Sequence, residues 1–147
     1  MAVIAKSALV MYSPSEMFCL VDDINAYGDF LPWCRSATVI SRNDDEVKAS
    51  IDIAKGALNK SFTTLNRLQK DKMIEMRLLE GPFKHLEGFW RFKPLNNHQA
   101  CKISLDLNFE FENKIIALAV GPVFNQIGNS MVDAFCKRAV EVYGERF

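Results

Sequence analysis

The side chains able to carry out bond chemistry are few and scattered. The 147-residue chain holds two histidines, His85 and His98, and four cysteines, Cys19, Cys34, Cys101 and Cys136. No two cysteines form a C-x-x-C pair and no histidine stands at zinc-like spacing from one. The roughly four ligands of a tetrahedral zinc site therefore have no source, and the cysteines read as buried free thiols. Cys34 would be a nucleophile only with a base beside it, and none is visible. Asp106, Glu110 and Glu112 could do general acid–base work only if buried and within reach of a substrate. They alternate with apolar residues, which puts them on the polar face of a strand. No Ser/His/Asp or Cys/His set can be assembled. The expectation is a protein that is not an enzyme and binds no metal.

What the chain is rich in is apolar and aromatic surface, with 11 phenylalanines, 6 methionines and 49% hydrophobic residues. Methionine adapts to irregular or liganded cavities. One candidate binding segment is Tyr27-Gly28-Asp29-Phe30-Leu31-Pro32-Trp33-Cys34, where Tyr27, Phe30, Leu31 and Trp33 crowd a helix-to-strand connection. Connections that carry large aromatics often do so for binding; the segment reads as a lid over a cavity, or equally as a plug at one end of a core. A second is Gly81-Pro82-Phe83 with Leu86, Gly88, Trp90 and Phe92. A glycine inside a strand suggests a bulge or close approach of another group. Facing inward, Trp90 would stack on a ligand ring and donate its indole N–H to a carbonyl, or else be a core tryptophan bonded to the backbone.

Charge excludes one class of partner. Eighteen basic and eighteen acidic side chains cancel, which argues against indiscriminate nucleic-acid binding, a phosphate-neutralising process, and so against DNA. The charges are uneven. Residues 1–52 carry four Lys/Arg against eight Asp/Glu, residues 55–93 nine against four, and residues 94–147 five against six. The basic middle, with Lys55, Lys60, Arg67, Lys70, Lys72 and Lys84, is either a solvated face or a patch on one edge of a sheet that meets an anionic partner.

These residues must be positioned by a single domain, since the length allows about one and a chain this size buries roughly 68–70% of its extended surface without a staple. No stretch approaches ~18 consecutive apolar residues. Lys6 stands where a signal peptide would be apolar, so a cytoplasmic location is expected. A strand is predicted over 3–11. Ser13-Pro14-Ser15-Glu16 then opens a helix as a capping box with proline at its first position, its apolar face formed by Met17, Leu20, Val21 and Ile24. A second short helix over 26–30 stops at Pro32. Six strands follow, over 37–41, 47–54, 60–68, 74–78, 85–92 and 101–111, with breaks at Gly56, Asp71-Lys72, Gly81-Pro82 and Asn96-Asn97-His98. In the third strand Phe62 and Leu65 differ in parity, which calls for a bulge or two-sided burial. A helix over 113–144, broken or kinked early by Pro122, carries a stripe of Val123, Phe124, Ile127, Met131, Ala134, Phe135 and Val142.

Consecutive short-turn strands make an antiparallel sheet, and one amphipathic helix is its obvious cover. The fold class expected is α+β, a curved antiparallel sheet of about seven strands with two short helices and a long C-terminal helix. One helix cannot fill a strongly curved concave side. The gap would be lined by Phe62, Met76, Leu107 and Phe109 from the strands and Phe124, Ile127, Met131 and Phe135 from the helix. Such an apolar pocket suits a lipophilic ligand; the alternative is that the same residues pack a solid core.

The segments Tyr27–Cys34 and Gly81-Pro82-Phe83-Lys84-His85-Leu86-Glu87-Gly88-Phe89-Trp90-Arg91-Phe92 strongly resemble the START-like (SRPBCC, polyketide cyclase/dehydrase-type) family of coenzyme Q-binding proteins, in its bacterial ribosome-association toxin branch. Lys60-Ser61-Phe62-Thr63-Thr64, Phe109-Glu110-Phe111-Glu112-Asn113-Lys114 and Met131-Val132-Asp133-Ala134-Phe135 match in the same order, so the likeness spans nearly the whole chain. Gly121-Pro122 departs from the more regular helix start expected of members. The resemblance implies a helix-grip fold with an apolar cavity. It also implies ubiquinone binding in support of respiration, or binding to the large (50S) ribosomal subunit that blocks subunit association and inhibits translation, with the six basic residues as its surface. Aromatase/cyclase action on polyketides is the less favoured implication. No cofactor is required, ubiquinone being the ligand envisaged, and transient contact with a membrane is the further partner.

Overall fold

A computed structural model describes residues 2–55 and 58–146. Among these, seven strands form one antiparallel sheet: β1 (Ala2–Val10), β2 (Cys34–Arg42), β3 (Glu46–Lys55), β4 (Leu58–Gln69), β5 (Met73–Glu80), β6 (Phe83–Leu95) and β7 (Ala100–Phe111). Their spatial order is β1-β7-β6-β5-β4-β3-β2. The six strands that are consecutive in sequence are neighbours in space, as short turns dictate. β1 pairs with β7, Ala2 opposite Phe109 and Val10 opposite Cys101. The helices are α1 (Pro14–Asp22), a 3-10 turn (Ile24–Ala26), α2 (Tyr27–Phe30) and α3 (Lys114–Tyr143). This is the helix-grip α+β architecture expected. The break expected at Gly56 lies outside the described residues.

Local chemistry explains most boundaries. The Ser13 hydroxyl accepts the Glu16 amide at 3.1 Å and the Glu16 carboxylate accepts the Ser13 amide at 2.9 Å, satisfying donors that α1 would otherwise leave orphaned. Asn96, Asn97 and His98 all adopt left-handed backbone, which asparagine tolerates better than most residues, and so turn β6 into β7. In β4 the register against β5 shifts between Thr63 and Thr64, and both threonines are buried. The extra residue at that shift, Leu79, lies in β5, while β4 pairs with β3 without a break; the parity conflict between Phe62 and Leu65 is thus two-sided burial, both residues being half-buried on opposite faces.

α3 packs against β1, β7 and also β4, so the sheet must curl around it. One expectation is narrowed here and one corrected. Pro122 does not break the helix, which continues on both sides of it for 30 residues. The proline removes the amide that would bond the Leu118 carbonyl; Leu118 is 81% exposed, so water can replace that bond. Val142 is 49% exposed and lies off the stripe, whose buried members are Val120, Phe124, Ile127, Gly128, Val132, Phe135 and Ala139. By length and composition alone α3 would also qualify to cross a membrane; here its stripe covers the sheet.

The two chain ends are tied together. The Arg146 guanidinium grips Glu16 at 2.6 and 2.8 Å and lies 4.9 Å from the centre of the Tyr12 ring. Tyr12 donates to the Gly144 carbonyl at 2.5 Å and Tyr143 to the Glu16 carbonyl at 2.9 Å.

Two measurements test this packing. The Arg146 guanidinium holds the Glu16 carboxyl down from 4.5 to about 2, helped by the bonds from Ser13. A carboxyl held down stabilises the fold fully above its ordinary value, and the gain is lost as pH falls through about 2. Arg146→Ala is expected to flatten that acid-side loss in denaturant titrations between pH 4.5 and 2. Separately, a Cβ on Gly128 would stand 2.2 Å from Ile4 Cδ1. Gly128→Ala is expected to cost about 1–3 kcal/mol through overpacking, despite its better helix propensity. In an Ile4→Val background, which lacks that methyl, most of the cost should vanish in a double-mutant cycle.

Candidate ligand-binding cavity

Between α3 and the concave face of the sheet lies a cavity of about 60 Å³. Ile24, Tyr27 and Trp33 wall it on the side of the short helices, and Phe124, Ile127, Gly128 and Met131 of α3 roof it. The sheet contributes Ile51 and Ile53 of β3, Phe62, Thr64 and Asn66 of β4, Met76 of β5, Leu86 and Trp90 of β6, and Leu105 and Leu107 of β7. Within each strand that delivers more than one residue they are an even number apart, the parity that faces one side of a sheet. Drug-sized ligands occupy roughly 300–1,000 Å³, so the core is largely packed in this state and an occupant of that size would have to displace side chains. Met76 and Met131, unbranched and half-buried, are the walls most able to move.

Of the residues the sequence nominates, Tyr27, Trp33, Phe62, Met76, Trp90, Leu107, Phe124, Ile127 and Met131 share this cavity. The others pack elsewhere. Phe83 stacks on Phe111 with ring centres 5.0 Å apart and sits edge-on to Phe109 and Phe124, which makes Phe83 and Phe109 an aromatic wedge at one end of the core. Phe92 lies under α1, 5.6 Å from Phe18. Phe135 is fully buried and is ringed edge-on by Tyr27, Phe30 and Trp90 at 5.3–5.5 Å. Phe30 is half-buried beneath the Arg138 guanidinium at 5.0 Å, and Leu31 is a buried core residue. The segment 27–34 is therefore part wall, through Tyr27 and Trp33, and part plug, through Phe30 and Leu31. Sequence reasoning missed Ile24, Ile51, Ile53, Thr64, Asn66 and Gly128. Thr64 and Asn66 share strand parity with the nominated Phe62, but they are polar and so were not sought in an apolar pocket.

The polar atoms of the wall are few. Tyr27 donates its hydroxyl to the Val21 carbonyl, and burial pushes its phenol above the ordinary range. Thr64 donates to Asn66 Oδ1 at 3.0 Å, both residues buried. The Trp33 indole N–H is buried without a hydrogen-bond partner. Among the described residues no Asp, Glu, Lys, Arg or His lines the cavity. The Cys34 and Cys101 thiols are pushed up to about 11, chiefly by burial, which leaves them protonated and unreactive at neutral pH. Asp106 pairs with Arg91 at 2.7 Å on the outer face of β7. Among the described residues no cluster of three or more His, Cys, Asp or Glu is placed to hold a metal.

The six basic residues do not share a sheet edge, since the edge strands are β1 and β2. Lys55 and Lys60 flank the β3–β4 hairpin and Lys84 begins β6 at that same end of the sheet. Arg67, Lys70 and Lys72 lie at the opposite end, where Arg67 stands 3.6 Å from Glu46 and Asp44, Asp45 and Asp71 are close in sequence or space.

Comparison with known proteins places this geometry. Residues 10–136 match the family described as polyketide cyclase/dehydrase and lipid transport. The ribosome association toxin RatA of Vibrio cholerae is 45% identical over 142 residues, covering 97% of this chain and 98% of the relative. A mitochondrial coenzyme Q-binding protein, COQ10 homolog B of Xenopus laevis, is 24% identical over 97% of this chain and 59% of its own. Among solved structures, the Zhui aromatase/cyclase of a Streptomyces superposes with a TM-score of 0.83 over 99% of both chains at 15% identity, a likeness of fold. By this match over most of its length, the chain belongs to the polyketide cyclase/dehydrase and lipid transport family, on the branch of its RatA relatives.

Proposed function

We propose that the chain binds a lipophilic molecule, ubiquinone or a related isoprenoid lipid, in the cavity beneath α3 and does so without transforming it, in support of respiration. The observation that carries this reading is the wall itself, apolar, uncharged and built around two movable methionines. The coenzyme Q-binding relative supports the choice of ligand. The protonated thiols and outward-facing carboxylates support binding without catalysis. Such a ligand lives in membranes, so brief contact with a bilayer belongs to the proposal.

A ubiquinone with two isoprene units is expected to raise the thermal midpoint as its concentration rises, as any ligand of the native state does. Ile51→Trp, which adds a ring to a half-buried wall position, should weaken that effect at least tenfold while leaving the circular dichroism spectrum intact. Equal stabilisation of both proteins would overturn the cavity reading.

A second reading rests on the RatA relatives, which match almost end to end. We propose that the chain also associates with the large ribosomal subunit in the cytoplasm, through its surface rather than its cavity. Lys55 and Lys60 favour the hairpin end of the sheet as the contact, because acidic neighbours offset the cations at the opposite end. Co-sedimentation with large subunits should fall as salt rises. Lys55→Glu with Lys60→Glu should abolish it, and Lys70→Glu with Lys72→Glu should leave it nearly unchanged. No sedimentation even at low salt would remove this reading and leave the first standing.

A further inference from the structure

The cavity is not uniformly greasy, and one of its buried polar atoms has no partner. Trp33 is 5% exposed, lines the cavity and has an indole N–H with no partner. A buried donor left unbonded costs free energy that a few well-placed oxygens on an occupant would recover. Asn66 is 6% exposed on the β4 wall and accepts from Thr64, which leaves its N–H groups available to an occupant. The Tyr27 hydroxyl proton is committed to Val21. Among the described residues, the one buried wall atom left without a partner is therefore a donor, the Trp33 N–H. It comes without a cation, because none of the described residues lining the cavity is basic. A carboxylate or phosphate would be buried there without a counter-charge, at a cost neutral donors do not meet. A bare hydrocarbon would leave the donors unpaired.

We infer that the cavity selects a neutral head group bearing acceptor oxygens, carbonyl or ether, and that Trp33 is the residue that reads it by donating from Nε1. This rests on the reading of the cavity as a lipid site and specifies the ligand class within it: quinone-like or ester-like lipids bind, free fatty acids and plain hydrocarbons bind less well. It also moves the recognising indole from Trp90, nominated on sequence, to Trp33. Trp90 instead packs edge-on against Phe135 at 5.3 Å.

The test uses two probes with the same geranyl tail, a ubiquinone with two isoprene units and geranylbenzene, which lacks the ring oxygens. The chain has two tryptophans, so a nitrogen-15 spectrum shows two indole N–H signals, and Trp33→Phe assigns them. The quinone should move the Trp33 indole proton downfield and geranylbenzene should not. Trp33→Phe, which keeps an aromatic ring but loses the donor, should weaken quinone binding roughly three- to tenfold, the weight of one neutral hydrogen bond, and change geranylbenzene binding less than twofold. If Trp33→Phe fails to fold, the indole shift in the unmodified protein decides alone. A quinone that binds with the Trp33 indole unmoved and with undiminished affinity for Trp33→Phe overturns the inference and leaves the lipid-site reading intact. Failure of both probes to bind the unmodified protein removes both.

Discussion

A sheet of seven strands spaced about 4.8 Å apart would measure roughly 29 Å across if flat, whereas a helix with its side chains is about 10–12 Å wide. The apolar face of this sheet is therefore far larger than α3 can cover, and the rest of the structure follows from that mismatch. The sheet curls until β1, β7 and β4 all touch the same helix. Bulges in β2, β5 and β6 supply the bends. α1 and the short helical segments close the remaining side against β6, β7 and β2. Large rings then fill the space: Phe83, Phe109, Phe111 and Phe124 wedge one end, and Tyr27, Trp90 and Phe135 interlock further along. What these devices leave unfilled is the cavity. It is a remainder of the packing problem before it is a binding site, which is why it is small and lined by whatever each strand presents inward.

The elements were legible in the sequence because their signals are local. A capping box, a proline at the first helical position, two-residue alternation in β3 and β7, and left-handed turns built on asparagine all act within a few residues. The antiparallel order was legible for the same reason, because short turns admit little else. Of the break or kink expected at Pro122, the break does not occur, because that turn of α3 is open to water at Leu118. Val142 was misread because a helical stripe continues in sequence after the sheet beneath it has ended.

The site was legible only in part. Parity gives the facing of a residue but not its depth along the strand, so Phe83, Phe92 and Phe109 point inward yet lie beyond the cavity. The basic residues show the same limit in reverse: they cluster between residues 55 and 93 but are sent to opposite ends by the β4–β5 hairpin. Thr64 and Asn66 were invisible for a different reason. A pattern search asks which residues are apolar, and a buried polar pair violates the pattern it would need to satisfy. Their burial is tolerable because they bond each other, a fact that depends on two side chains meeting across one residue of β4.

The pairing of β1 with β7 has a consequence for how the chain is made. Residues 2–10 are made well before their partner strand, residues 101–109. Until β7 exists, β1 has no edge to join and its exposed Val3 and Leu9 have no protection from other strands. The long loop that closes last carries an entropic cost that only the completed strand order β2 to β7 can offset. The interval between the synthesis of β1 and that of β7 is a period in which the nascent chain is open to mispairing.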